Sequence, residues 1–348
     1  MIKNVVKKAS LVALATVFAF TACNSNVADE VSENTDSSAE EVADEITLDS
    51  VSTVNASTWS ISGSTFTHDP SIIYADGLYW MFYTADGIGV SYSSDGKTWY
   101  SGTQIFASAP SWWSTYVPGK TDFNVWAPDI SYYNGYYNLY YSVSTFGSNV
   151  SCIGLVRCTS ILSGDWEDCG LVIRSTSSSA YNCIDPSFVY NGTPYLTFGS
   201  WYDGIWIVRL SSGTMKPNQS PIQIADRDLS SNAIEGACIW NRGNGYYYLF
   251  ASFDVCCAGT SSTYNIRYGR STSITGPYYD KNGNSMLDGG GTVLASSSGR
   301  YIGPGGQSIF STASGSTAMA YHYYDSYNSG TATLMIKDIK TVSGWPTF

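Results

Sequence analysis

One hairpin occurs five times along the chain. The segments DPSIIYADGLYWMFYT (69–84), APDISYYNGYYNLYYS (127–142), DPSFVYNGTPYLTFGS (185–200), EGACIWNRGNGYYYLFAS (235–252) and GGQSIFSTASGSTAMAYHYYD (305–325) share one pattern. Each is a strand, a glycine turn and a second, aromatic-rich strand with period-two alternation. The turn glycines Gly77, Gly135, Gly192, Gly245 and Gly315 lie 58, 57, 53 and 70 residues apart. A unit of that size supplies a four-stranded sheet, and five such sheets around an axis make an all-β, five-bladed β-propeller. A β-sandwich is the structural rival, but it does not predict five recurrences of one hairpin.

Composition agrees with this reading and narrows the function. Aromatic residues make up 15% of the chain and charged residues only 13%, against roughly 25% charged in ordinary domains. The net charge of -11 would repel phosphate backbones, which disfavours nucleic acid as a partner. No phosphate-binding loop, dinucleotide fingerprint or nucleophile elbow is present, so no organic cofactor is expected.

The first 22 residues read as a lipoprotein-type signal peptide, with Lys3, Lys7 and Lys8 ahead of an apolar run too short to span a bilayer. The run ends Phe20-Thr21-Ala22-Cys23, which is similar to a lipobox whose cysteine is lipidated, although Phe20 replaces the usual Leu. Ordinary secretion with an incidental Cys23 is the alternative. Residues 23–55 read as an acidic disordered tether, with nine acidic residues and neither basic nor aromatic ones. Most of the acidity therefore belongs to the tether. The propeller domain, 56–348, is only mildly acidic, as suits a neutral polymer.

Seven cysteines follow Cys23, an odd number with no zinc spacing. The adjacent Cys256 and Cys257 are expected to be small buried residues in a β context, because vicinal disulfides are rare. Asp280-Lys281-Asn282-Gly283-Asn284 is superficially like a calcium loop, but it lacks the glycine and glutamate that such a loop needs and reads as a turn.

Aligning the repeats on Tyr74, Tyr132, Tyr190, Trp240 and Phe310 places Asp69, Ala127, Asp185, Glu235 and Gly305 at one register. Three of five inner strands thus carry a carboxylate at the mouth of the central channel. Crowded carboxylates push their pKa values apart, which an acid and base pair requires. A calcium cage is the competing use. Glu235, one methylene longer than its counterparts, and the surrounding aromatic residues favour sugar chemistry.

The motifs His68-Asp69-Pro70-Ser71, Trp126-Ala127-Pro128-Asp129, Asn182-Cys183-Ile184-Asp185-Pro186-Ser187, Ile234-Glu235-Gly236-Ala237 and SFDVCCAGTSSTYNIRYGRS (252–271) resemble endo-1,5-α-L-arabinanases of glycoside hydrolase family 43. The resemblance covers about residues 60–348. It implies inverting hydrolysis of α-1,5-linked arabinofuranosyl bonds in linear arabinan, with Asp69 as general base and Glu235 as general acid. Asp185 would keep Glu235 protonated and orient it. It also implies sugar contacts at Trp126, Phe146, Gly147, Asn182, Ser200, Trp201 and Tyr202.

His322 is implied to help hold a calcium or other hard ion in the channel, largely through water. Members often carry a histidine after Gly-Pro-Gly, where this chain has Gly306-Gln307. A monomeric, exported, lipid-anchored enzyme is expected, with the membrane surface and arabinan as its partners. An exo-acting arabinofuranosidase or xylosidase of the same fold, and a non-catalytic glycan-binding propeller, are the alternatives.

Overall fold

The second strands of several hairpins are buried on both faces rather than one. Tyr136–Val143 is buried from its third residue onward, and Tyr247–Phe253 from its second. A strand of that kind must be covered on both sides. The structure, a computed structural model, describes residues 57–227, 229 and 231–348, and the expected signal, Cys23 and tether lie outside them.

Five sheets of mainly antiparallel strands follow one another along the chain. The inner strands are Ser71–Ala75, Asn124–Tyr133, Ser187–Tyr190, Ile234–Asn241 and Tyr301–Ser311. Each packs against the next, and the fifth packs against the first, so the sheets are blades of a closed five-bladed propeller. The apolar core is accordingly five wedges between successive blades. One wedge joins Ile72, Tyr79 and Met81 of the first blade to Phe310, Ala318 and Ile336 of the fifth.

The fifth blade contributes only three consecutive strands, and the start of the domain completes it. Thr58 and Phe66 bridge Lys337 and Thr333, with Trp59 N donating to Ile336 O at 3.0 Å and Leu334 N donating to Thr65 O at 2.9 Å. Between these contacts, Ser62–Gly63 pairs with the outer strand of blade one. Residues 57–67 therefore fasten the last blade to the first.

The backbone corrects the register taken from sequence. Asp69, Ala127 and Asp185 are left-handed, at φ 51, 41 and 57°, but the matching residues in blades four and five are Gly236 and Gly306, at φ 57 and 60°. Glu235 thus stands one position earlier than its supposed counterparts. The cause lies in the anchor: Trp240 and Phe310 are buried, and the exposed strand ends that match Tyr74, Tyr132 and Tyr190 are Asn241 and Ser311. Glutamate's extra methylene suits the displaced position.

Two residues beyond the left-handed position stand Ser71, Asp129, Ser187, Cys238 and Ser308. Asp129 accepts the Phe188 N–H at 2.7 Å and the Ser71 hydroxyl at 3.3 Å, so one carboxyl joins three blades near the axis. Burial pushes it up to about 7, against the hydrogen bonds from Phe188 and Ser71. A carboxyl raised on folding stabilises the fold below its unfolded pKa, and that contribution disappears as pH rises through the folded value. Asp129→Asn should therefore gain about 2–4 kcal/mol relative to wild type between pH 5 and 8. Denaturant unfolding at both pH values checks this, and a constant difference contradicts it.

Candidate active site

The left-handed turn at Asp69 brings its backbone and carboxylate against two histidines. Asp69 N donates to His322 Nδ1 at 3.1 Å. Its Oδ2 lies 2.8 Å from His68 Nδ1 and accepts the Thr84 hydroxyl at 2.7 Å. The His68 and His322 rings stack with centroids 3.8 Å apart. Gly306 has to be glycine here, because a Cβ would overlap Asp69 Oδ1 and come within 2.8 Å of His322 Nδ1.

Glu235 is held differently. Its carboxyl is buried, with Ser200 Oγ 2.6 Å from Oε2 and Tyr264 OH 2.9 Å from Oε1. Asp185 is oriented through its backbone, whose N–H donates to Ser142 Oγ at 2.9 Å, while Oδ2 accepts the Gly236 N–H at 3.0 Å. The residue after Glu235 thus anchors Asp185. Gln307 lies behind them, accepting the Ser252 hydroxyl at 2.8 Å and donating to Gly236 O.

These surroundings separate the charge states. Burial opposes ionisation of Asp69, but the charge and hydrogen bond of His68, the nearby His322 and the Thr84 hydroxyl outweigh it, holding the carboxyl well below its usual range. Burial also lowers His68, and Asp69 and Glu235 more than compensate, so His68 is raised. Glu235 is raised by burial, reinforced by the Asp69 charge, despite the Ser200 and Tyr264 hydrogen bonds. Asp185 is raised well above its usual value by burial and by the charges of Glu235 and Asp69. The cleft therefore holds one carboxylate that stays ionised and two carboxyls that favour their protons.

The remaining expected site residues fall into groups. Ser200 touches Glu235 itself, and the Trp201 N–H donates to Ile234 O at 2.9 Å. Trp201 and Tyr202 are left-handed and partly exposed. Asn182 is buried with an unpartnered Oδ1, and its backbone carbonyl accepts the Ile184 N–H beside Asp185. Trp126 adjoins Ala127, whose N–H donates to the same Thr84 that holds Asp69. Phe146 is 86% exposed, and with Gly147 it occupies the loop that opens just beyond Ser142. That loop is at the acid end of blade two.

His322 is fully buried, and its Nε2 has no partner among the described residues. Burial and neighbouring His68 lower it well below its usual pKa despite Asp69, leaving a neutral imidazole. Ligand atoms of His68, Asp69 and His322 lie within 4.8 Å of one another. Asp280, by contrast, accepts the N–H groups of Asn282, Asn284 and Gly291 and serves a turn, as expected.

The cysteine expectation fails. Cys256 and Cys257 form a disulfide in a partly exposed loop after Tyr247–Phe253, rather than sitting reduced and buried in a strand. Sequence reasoning also left Thr84, Ser142, Tyr264 and Tyr324 without roles. Tyr264 lies inside the STYNIR run, which was a usable signal, whereas Thr84 and Ser142 end hairpins that carried no chemical mark.

The family model for glycosyl hydrolases family 43 matches residues 62–346. The chain is 48% identical over 305 residues to an extracellular endo-α-(1→5)-L-arabinanase of Bacillus subtilis, covering 86% of this chain and 92% of that one. A family 43 endo-arabinanase structure from Bacillus licheniformis superimposes with a TM-score of 0.80 at 49% identity, covering 83% of this chain and all of that one. An exo-1,5-α-L-arabinanase from a bovine ruminal metagenomic library gives 0.78 at 37% identity, covering 82% and 98%. With its five blades, its three clustered carboxyls and a match across nearly the whole described domain, the chain is a member of glycosyl hydrolases family 43.

Proposed function

We propose that this protein hydrolyses α-1,5-linked arabinofuranosyl bonds within linear arabinan, with inversion. The observation that carries the reading is the contrast between two carboxyls at one mouth: Asp69 pairs with His68 and Thr84, while Glu235 is buried against Ser200 and Tyr264, surroundings that hold Asp69 ionised and favour the proton on Glu235. Asp69 serves as the general base that takes a proton from water. Glu235 is the general acid that protonates the departing oxygen. Asp185, fixed by Ser142 and Gly236, keeps a further carboxyl close to Glu235 and orients it. Trp126, Phe146, Gly147, Asn182, Trp201 and Tyr202 form the sugar-binding surround, the aromatic faces meeting the apolar faces of pentose rings. Ser200 belongs to the acid as well as to that surround.

The similarity to endo-arabinanases supports cleavage within the chain, while the exo-acting relative is the reason to test it. Linear arabinan digested briefly should yield arabino-oligosaccharides before arabinose accumulates. Arabinose as sole early product would overturn endo cleavage while leaving the chemistry intact. Absence of any hydrolysis would favour a glycan-binding propeller.

A calcium or similar hard ion at His322 belongs to the same proposal. His322 Nδ1 accepts the Asp69 N–H, so the neutral ring carries its proton on Nε2, and His322 would face such an ion through water rather than as a direct ligand. Asp69 Oδ2 already accepts from Thr84 and pairs with His68, so water would complete the roughly six to eight ligands that calcium takes. Bound there, the ion would supply positive charge beside the acids. A chelator should lower the melting temperature and added calcium restore it; an unchanged melting temperature contradicts the ion.

Export, lipidation at Cys23 and an acidic tether complete the reading, supported by the sequence pattern and by the extracellular relative. Cys23→Ala should move the enzyme from the membrane fraction to the soluble one, and retention on the membrane would count against the anchor.

A further inference from the structure

The loop that carries the disulfide reaches both members of the proposed acid and base pair. It folds back on itself, with the Thr263 and Tyr264 N–H groups donating to Val255 O at 3.0 and 3.1 Å. At its far end Tyr264 holds Glu235. Near its start the Cys257 N–H donates to Tyr324 OH at 2.7 Å. Tyr324 OH lies 2.9 Å from His68 Nε2, and His68 Nδ1 lies 2.8 Å from Asp69 Oδ2. A continuous chain of hydrogen bonds therefore runs from the disulfide to Asp69.

The polarity of this chain is set by its first member, since a peptide N–H can only donate. With His68 neutral, the Tyr324 oxygen accepts from the Cys257 N–H and its hydroxyl donates to Nε2, leaving Nδ1–H to face Asp69. With His68 protonated, Tyr324 accepts from both Cys257 and Nε2–H, and Nδ1–H still faces Asp69. In either state the Cys257 N–H fixes the Tyr324 oxygen and so the imidazole. Cys257 is itself left-handed, at φ 64°, a conformation that side-chain-bearing residues leave readily when free. The bond to Cys256 closes a small ring around the intervening peptide and holds it there.

We propose that the Cys256–Cys257 disulfide is a positioning element for Asp69, acting through the Cys257 N–H, Tyr324 and His68, and that its reduction slows catalysis. This rests on the reading of Asp69 as general base. Cys257 is exposed, so a small dithiol can reach it. Dithiothreitol would break the sulfur–sulfur bond, each sulfur gaining one electron and one proton, while the reagent becomes its cyclic disulfide. The freed peptide would then turn its N–H away from Tyr324.

The test uses the full chain, assayed on linear arabinan before and after dithiothreitol, with thiol titration in denaturant to confirm two new thiols. Reduction should lower kcat about tenfold, a loss typical of modest misplacement of a catalytic group, with KM nearly unchanged and reoxidation restoring the rate. Tyr324→Phe should show a similar loss and a much smaller response to reduction, which then acts only through the direct contact of Cys257 Sγ with His68 Nε2 at 3.8 Å. Unchanged kcat in the reduced wild type would overturn the proposal, as would a change confined to KM or a second tenfold loss when Tyr324→Phe is reduced. Should Tyr324→Phe fail to fold, the wild-type comparison alone decides. An oxidised wild type inactive on arabinan would overturn the reading of Asp69 itself, and that result is distinct from an active enzyme indifferent to dithiothreitol.

Discussion

Asp69→Asn lowers kcat on linear arabinan by about 10³–10⁴-fold, with little change in KM, because it removes the group that accepts a proton from water. Asparagine keeps the volume and can still accept from Thr84, so the pocket survives while the charge is lost. A better leaving group should not rescue this variant, since the missing step is activation of water. The charge also has a pH consequence. Asp69 is held well below the usual carboxylate range mainly because His68 offsets the effect of burial, so the acid limb of the wild-type profile lies below that range. A carboxylate depressed in this way also stabilises the fold above its unfolded pKa, and the contribution disappears as pH falls through the folded value. Initial-rate measurements on arabinan and on an aryl arabinofuranoside check the prediction. Recovery on the aryl substrate would contradict it.

Glu235→Gln has the opposite signature. On arabinan, whose leaving oxygen needs a proton, the expected loss is about 10²–10⁴-fold. On a nitrophenyl arabinofuranoside, whose leaving group departs as a stable anion, the loss should be far smaller. Glutamine preserves an acceptor for Ser200 or Tyr264, which now bond to Oε2 and Oε1, so the comparison isolates proton donation from folding. Equal losses on both substrates would mean that Glu235 does not protonate the leaving group.

Much of this arrangement was legible in the sequence, because a hairpin repeated five times permits few closed architectures. The acids were found from the repeat as well, although the alignment behind them was one residue off in two blades. It was anchored on aromatic side chains, and in blades four and five the aromatic at that point is buried while the true strand end is Asn241 or Ser311. Periodicity could not distinguish these cases, because a strand covered on both faces can carry its aromatic on either one. The left-handed backbone could have done so, since Gly236 and Gly306 stand where Asp69 and Asp185 do.

Partners remote in sequence were out of reach. Thr84 serves Asp69 across a hairpin, Ser142 serves Asp185 from the neighbouring blade, and Tyr324 reaches His68 over 256 positions of chain. Hydroxyls of this kind look like any others in a chain rich in serine and tyrosine. The disulfide was missed for another reason. Vicinal pairs are rare and their sequence is that of two small buried residues, and only the loop around Val255 and Thr263 shows the two cysteines leaving the strand.

The account depends most on Glu235 being the group that must stay protonated while Asp69 stays ionised. The pH dependence of kcat/KM on linear arabinan, measured for wild type and Glu235→Gln, tests that division directly. Wild type should give a bell, its basic limb displaced upward from the ordinary glutamate range because burial and the Asp69 charge raise Glu235. In Glu235→Gln the basic limb should vanish while the acid limb set by Asp69 remains. A basic limb that persists unchanged in the variant would contradict the assignment.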